Sequence, residues 1–240
     1  MGDDLTGPER AEVAGRRSAR GEHRVPPAIA VVVAGLTYAL LPSDLLFVPR
    51  YLIPALEVIL LVALVVTNPR RMTRQTRWSR IASMAQAGLV IGTNMVALGM
   101  LVHALTKSST PGGPLLIAAM QVWVTNVIGF ALLYWELDRG GPVVRREAAR
   151  DDLPDADWRF SQDENHGAVI EVSRTSSTKS GWIPIFVDYL YLSLTNSSAF
   201  SPTDTMPLSS RAKSLMGVQA TAALLTTLVV VAFAVGSIGS

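Results

Sequence analysis

No cysteine occurs in the 240 residues, which removes disulfides, thiolate metal ligands and cysteine nucleophiles from the chemistry open to the chain. Lysine is scarce as well. Arginine supplies 18 of the 21 basic residues, a bias that goes with a GC-rich bacterial genome. The catalytic signatures GxSxG, GxxxxGK[ST] and HExxH are all missing. Asp163-Glu164-Asn165-His166 is a short polar run that reads as a solvated loop. The sequence therefore points to no enzyme, metal site or cofactor. A net charge of +2 and a pI near 9.1 come without the interleaved aromatic and basic residues of a nucleic-acid surface, so no nucleic-acid partner is expected.

Charge is also missing from long stretches of the chain. Six runs, at 25–41, 51–67, 81–105, 115–135, 182–200 and 214–238, contain no Lys or Arg. Apolar residues make up 49% of the chain and the mean hydropathy is +0.33. A helix needs about 20 mostly apolar residues to cross about 30 Å of hydrocarbon, with a lower limit near 17. The runs meet that limit, the first two only if nearly upright. The expected fold is all-α: a polytopic helical membrane bundle with about six transmembrane helices.

The basic residues give the bundle an orientation, because cytoplasmic flanks retain Lys and Arg. Seventeen of the 21 fall in three segments that six crossings place on one side: the N-terminal tail, Asn68–Arg80, and Glu136–Gly181. Arg50, Lys107, Arg211 and Lys213 remain opposite. Trp78, Trp135 and Trp182 fall at the same predicted inner ends, where indoles favour the interface. The reading is a bacterial plasma-membrane protein with both termini cytoplasmic and its basic flanks against anionic headgroups. The first run has a long flank and no small-residue cleavage site after it, unlike a cleaved signal.

Four parts follow. Residues 1–24 form a disordered basic tail, 25–135 a four-span membrane region, 136–181 a loose cytoplasmic loop, and 182–240 a C-terminal helical hairpin. In span three, Ala85, Gly88, Gly92, Gly99 and His103 fall within an arc of about 60°. Gly88 to Gly92 has the GxxxG spacing that lets helices approach closely in lipid. Packing within the bundle, with span six as partner, and contact between copies in a homo-oligomer are the two readings of that face.

Only two acids, Glu57 and Asp188, lie inside the apolar runs, with no Lys or Arg there to neutralise them. A carboxylate at mid-bilayer costs about 3 kcal/mol or more and turns toward protein or water. Glu57 and His103 are expected at similar depth, as a structural contact or as a proton or cation site. Asp188 shares a face with Thr195 and Asn196 on span five, and span four carries a matching stripe of Gln121, Thr125, Gly129 and Glu136. These stripes are either hydrogen-bonding glue or a hydrophilic path. Glu57 and Asp188 are expected about 10 Å apart along the membrane normal, too far for a two-group hydrolase.

Tyr51-Leu-Ile-Pro-Ala-Leu-Glu57, Tyr134-Trp-Glu-Leu-Asp-Arg-Gly-Gly-Pro142 and the stretch from Phe186 through Ser201-Pro202-Thr203-Asp204 to Leu208 resemble an uncharacterised family of bacterial multi-pass integral membrane proteins. The resemblance covers most of residues 45–236 and implies no activity. The C-terminal hairpin also resembles, in outline, the pore module of potassium channels: a Tyr- and Ser-bearing helix, a Ser-Pro-Thr turn, then a lining helix. Aligned on Ser201-Pro202, the filter positions fall on Thr195 to Ala199. They hold no glycine, so a carbonyl filter of the TVGYG type is not expected. Phe186–Phe200 reads as part of a full crossing.

Two functions fit these residues. One is permeation of a proton or small monovalent cation along Gln121, Thr125, Asp188, Thr195 and Asn196 among spans four to six. The other is a non-transporting scaffold, assembly or signalling component that presents basic loops to lipid or a partner.

Overall fold

The structure is a computed structural model that describes residues 21–68, 71–73, 75–105, 112–198 and 204–238. It is mostly helical. Six long helices run α1 Val25–Ala39, α2 Leu52–Thr67, α3 Arg77–Leu105, α4 Gly112–Leu137, α5 Phe186–Ser198 and α6 Ser210–Ile238. Three of them, α3, α4 and α6, are long and apolar enough to cross a membrane. The chain is thus a helical protein of membrane type. α1 and α2 are shorter apolar helices of 15 and 16 residues.

Local chemistry sets the helix starts. Pro26 and Pro27 occupy the first turn of α1, where a missing N–H breaks no helical bond. α5 starts at Phe186 because the Asp188 carboxylate accepts the Ile185 N–H at 2.7 Å, satisfying an orphan donor of the first turn.

Two two-stranded pairings tie the elements together at one end. β1 (Glu22–His23) pairs antiparallel with β2 (Arg71–Met72), in register Glu22↔Met72, which joins the start of α1 to the end of α2. The Arg80 guanidinium donates to the Gly140 carbonyl, joining the start of α3 to the end of α4. β3 (Trp158–Arg159) pairs with β4 (Met206–Pro207) just before α6. Residues 22–24, 71–73, 75–80, 138–180 and 204–211 therefore share one end of the bundle, the basic end. At the other end Leu45 is buried, and Arg50 donates to the Ala39 and Leu41 carbonyls at 2.5 and 2.9 Å, capping α1.

Three expectations change. Residues 21–24, assigned to a disordered tail, are built into the fold: Glu22 and Arg24 are buried, and Arg24 donates to the Leu64 carbonyl at 2.5 Å. Residues 1–20 lie outside the described residues. The 136–181 segment is ordered rather than loose. Trp158 is fully buried with its ring centroid 4.7 Å from that of Tyr134, and Phe160 packs edge-on against Tyr189 and Trp182. Aromatic anchors replace the aliphatic core this segment lacks.

The third change concerns α5. It runs antiparallel along α4, starting beside Trp135 and ending where the Trp123 indole donates to the Ser197 carbonyl at 3.5 Å. Its 13 residues rise about 20 Å. By Met206 the chain is back at the basic end, where Leu208 N–H donates to the Asp157 carbonyl and Arg211 pairs with the Asp157 carboxylate. α5 and α6 thus start at the same end and run side by side in the same direction. The expected hairpin of two antiparallel spans is not formed. Hydropathy misses this because it measures how apolar a segment is and not the direction in which it runs.

Candidate functional site

Each helix that reaches mid-bundle contributes polar side chains, and the structure sorts them into two separate groups. The first lies between α4, α5 and α6, around Gln219, which is fully buried. Its amide NH₂ donates to the Ser193 carbonyl, Ser193 Oγ and Ser197 Oγ at 2.9, 2.6 and 2.8 Å. Its carbonyl oxygen accepts from Tyr134 Oη at 2.7 Å and Asn196 Nδ2 at 2.8 Å. Ser193 Oγ donates to the Val127 carbonyl at 2.7 Å, and Asn126 Nδ2 to the Gln219 carbonyl at 3.3 Å. Gln219 is bonded at both ends of its amide and holds three helices together. Gln219→Leu removes those partners at once and should cost about 2 kcal/mol. The apparent unfolding temperature in detergent should fall by about 4–8 °C.

That hub takes Asn196 but not the rest of the expected path. Asp188 is a cap at the first turn of α5 and lies near the basic end rather than inside a span. Thr195 Oγ1 donates to the Tyr191 and Leu192 carbonyls of its own helix. Gln121 and Thr125 lie on another face of α4, toward α1 and α3, so the five residues of the path are not brought together. The α4 stripe is real as a face, but it packs on α3. A Cβ on Gly129 would fall 2.9 Å from Ile91 Cγ1, so that glycine sets the close approach between the helices.

The α3 glycines do something else. Ala85, Gly88, Gly92, Gly99 and His103 are all exposed, and a Cβ added to any of the three glycines meets nothing within 4 Å. Among the described residues nothing packs on this face, and the small-residue pair Gly217 and Thr221 on α6 is exposed too. Nor is Glu57 paired with His103: Glu57 is buried, and His103 lies on the outer face of α3.

The second group lies in a seam between α1, α2, α3 and α4. Glu57 is 2% exposed and its Oε2 has no hydrogen-bond partner. Tyr38 Oη, both amide atoms of Gln86, Asn94 Nδ2 and Gln121 Oε1 are likewise buried without partners. Above Glu57 a cavity of about 10 Å³ is lined by Tyr38, Thr93, Asn94, Gln121 and Thr125. Below it a cavity of about 30 Å³ is lined by Arg24, Leu61, Ser83, Gln86 and Glu136. The upper has room for at most about one water molecule and the lower for about one or two.

No family model, curated protein or solved structure matches this chain. The site is therefore read from its own geometry, including the basic end that closes it. There Asp138 is fully buried: Oδ1 accepts the Asp157 N–H at 2.8 Å, and Oδ2 accepts Tyr189 Oη at 2.5 Å and Arg139 Nη1 at 3.0 Å. Arg145, also fully buried, donates to the Trp135 and Asp138 carbonyls at 2.7 Å each, a cation on the C-terminus of α4. Its Cζ lies 4.9 Å from the centroid of the Tyr189 ring. Glu22 accepts the Trp135 indole N–H at 3.1 Å and the Phe186 N–H at 2.6 Å. Burial pushes the Glu22 carboxyl above its ordinary range, while Arg145 and the Phe186 N–H pull the other way.

Of the residues singled out in the sequence, Glu57, Gln121 and Thr125 lie at the seam and Asn196 at the hub, whereas Gln219, Tyr38, Gln86 and Asn94 were not singled out. A signal existed for Gln219, the one amide side chain between Ser214 and Ile238.

Proposed function

We propose that this chain is a bacterial plasma-membrane protein that passes protons or small monovalent cations. Its chain makes five crossings, and α5 is a half-helix entering from the cytoplasmic face. The observation that carries this reading is that α5 ends after 13 residues and α6 starts at the same end of the bundle as α5. A half-depth helix at membrane level is tolerated where it is buried in protein or lines water, and such helices build ion pathways. The outline resemblance of Tyr189 to Leu208 to a potassium-channel pore module supports it. The glycine-free filter positions argue against potassium selectivity through carbonyl rings.

The Gln219 hub fills the interface of α4, α5 and α6 within one chain. A path formed by α5 and α6 then runs on their outer faces, where Tyr191, Ser198 and Thr221 are exposed, between copies of the chain. The test is flux through purified protein in liposomes, read by proton- and potassium-sensitive dyes. Flux above that of empty liposomes is expected, and Ser198→Trp, which adds bulk at the exposed last described residue of α5, should abolish it. Folded, inserted protein that shows no flux under either gradient overturns the reading. That outcome favours a scaffold or signalling role, for which the ordered basic end, with its buried Asp138 and Arg145, is the supporting observation.

A further inference from the structure

The seam of α1 to α4 goes beyond this reading, since it involves neither α5 nor α6. Its central feature is the position of one carboxyl group. Glu57 Oε2 faces Gly35 on α1, where a Cβ would fall only 2.6 Å from the oxygen. Glycine leaves a notch there that admits the carboxyl.

Helix arithmetic places the two cavities on either side of that notch. Tyr38, which lines the upper cavity, is three residues beyond Gly35 on α1. Val31, which lines the lower one, is four residues before it. On α2, Leu61 of the lower cavity is four residues past Glu57. On α3, Gln86 of the lower cavity and Asn94 of the upper are eight residues apart, about 12 Å at 1.5 Å per residue. Each cavity is thus about one turn from the carboxyl.

The neighbouring residues of α1 and α3 near the notch are small or aliphatic and buried. Ala34, Ala87 and Val90 are 1%, 1% and 0% exposed. By helix position Glu57, which lines neither cavity in this conformation, is the acidic side chain placed between them among the described residues.

The chemistry of the seam decides what it binds. A desolvated monovalent cation needs several oxygen ligands around one point. Here the polar atoms are split between two small cavities, and Asn94 Nδ2 and one end of Gln86 are donors that repel a cation. Cavities of one or two waters, lined by donors and acceptors without partners, suit water and a proton instead.

The charged and titratable groups facing the seam are few. Tyr38 on α1 is the nearest. Arg24 and Glu136 close the basic end of the lower cavity, and Arg50 caps α1 at the other end. His103 lies on the outer face of α3, away from it.

We propose that Glu57 is a proton-binding site that exchanges its proton with water in both flanking cavities. In each exchange a Glu57 oxygen forms an O–H bond as one O–H bond of a hydronium breaks, and the proton returns to water on the other side by the reverse step.

The test uses the full chain in liposomes and a hydrophobic carbodiimide, which adds to protonated carboxyls in apolar surroundings, with the modified residue identified by mass spectrometry. Glu57 should be labelled, and Glu57→Gln should lose the adduct. Labelling should fall as pH is raised, because the reagent adds only to the protonated carboxyl. In D₂O, the infrared carboxyl band that Glu57→Gln removes should shift as its proton exchanges. Gln86→Leu and Asn94→Leu, which leave the carboxyl in place, should each slow that exchange severalfold. An unlabelled Glu57 in folded protein, labelling that does not change with pH, or exchange rates unmoved by both variants overturns the proposal. None of these readouts depends on flux through α5 and α6, so the two readings fail separately.

Discussion

Asp138→Ala should destabilise the protein more than any other single substitution at the basic end, by about 3–5 kcal/mol. The carboxylate has no exposure and joins three parts of the chain: the end of α4, the 136–181 segment through the Asp157 N–H, and α5 through Tyr189. Truncation to alanine leaves the fully buried Tyr189 hydroxyl without its acceptor and the Asp157 N–H without its cap. Arg139 keeps its 2.7 Å contact with Asp163, which limits the loss. At about 2–4 °C per kcal/mol for a chain of this size, the apparent unfolding temperature in detergent should fall by about 10 °C. Intrinsic fluorescence is a suitable readout, because Trp158 is fully buried beside the junction. Asp138→Asn keeps the shape and one acceptor, so its loss should be smaller. Asp155→Ala, at an exposed position of the same segment, should move the transition by no more than about 0.5 kcal/mol. Equal stability of Asp138→Ala and Asp155→Ala would mean that the basic end does not hold the bundle together.

How far the sequence carried can be judged from particular elements. The helix positions were legible because runs of 17 to 25 residues without Lys or Arg leave few alternatives in composition. The polar seam was half legible. Glu57 stood out as an acid in an apolar run, yet its neighbours Gln86 and Asn94 are neutral amides that hydropathy averages away. Helical wheels grouped Gln121, Thr125 and Gly129 correctly on one face of α4. They could not say which neighbour that face meets, because a wheel has no tertiary partner in it. The α3 glycine stripe failed for the same reason. GxxxG spacing states that a helix can be approached closely, not that anything within the chain approaches it. Glu22 was invisible: its role depends on the Trp135 indole, 113 residues away, and on the first N–H of α5. The 136–181 segment misled because it is poor in aliphatics, whereas four aromatic rings, from Tyr134, Trp158, Phe160 and Tyr189, anchor it.

The crossing number gives the largest expected effect, since it inverts which side of the membrane a residue reaches. β3 and β4 hydrogen-bond to each other, and Arg211 pairs with Asp157. Two segments in contact cannot lie on opposite sides of about 30 Å of hydrocarbon. If residues 138–180 are cytoplasmic, so are residues 204–213, and α6 must leave the cytoplasmic face rather than return to it. The distribution of charge agrees. With Arg211 and Lys213 at the basic end, 19 of the 21 basic residues lie there by chain order, against Arg50 and Lys107 at the other. Six crossings leave four opposite, so five crossings fit the retention of cytoplasmic Lys and Arg better. The lack of cysteine makes the test clean, because each introduced thiol is the only one in the chain. Ser161→Cys, Ser210→Cys and Ser240→Cys should be treated separately with a membrane-impermeant maleimide on intact cells with a permeabilised outer membrane. Only Ser240→Cys should react, and Ser161→Cys and Ser210→Cys should react once the inner membrane is opened. Labelling of Ser210→Cys but not Ser240→Cys on intact cells restores six crossings. That outcome overturns the half-helix reading of α5.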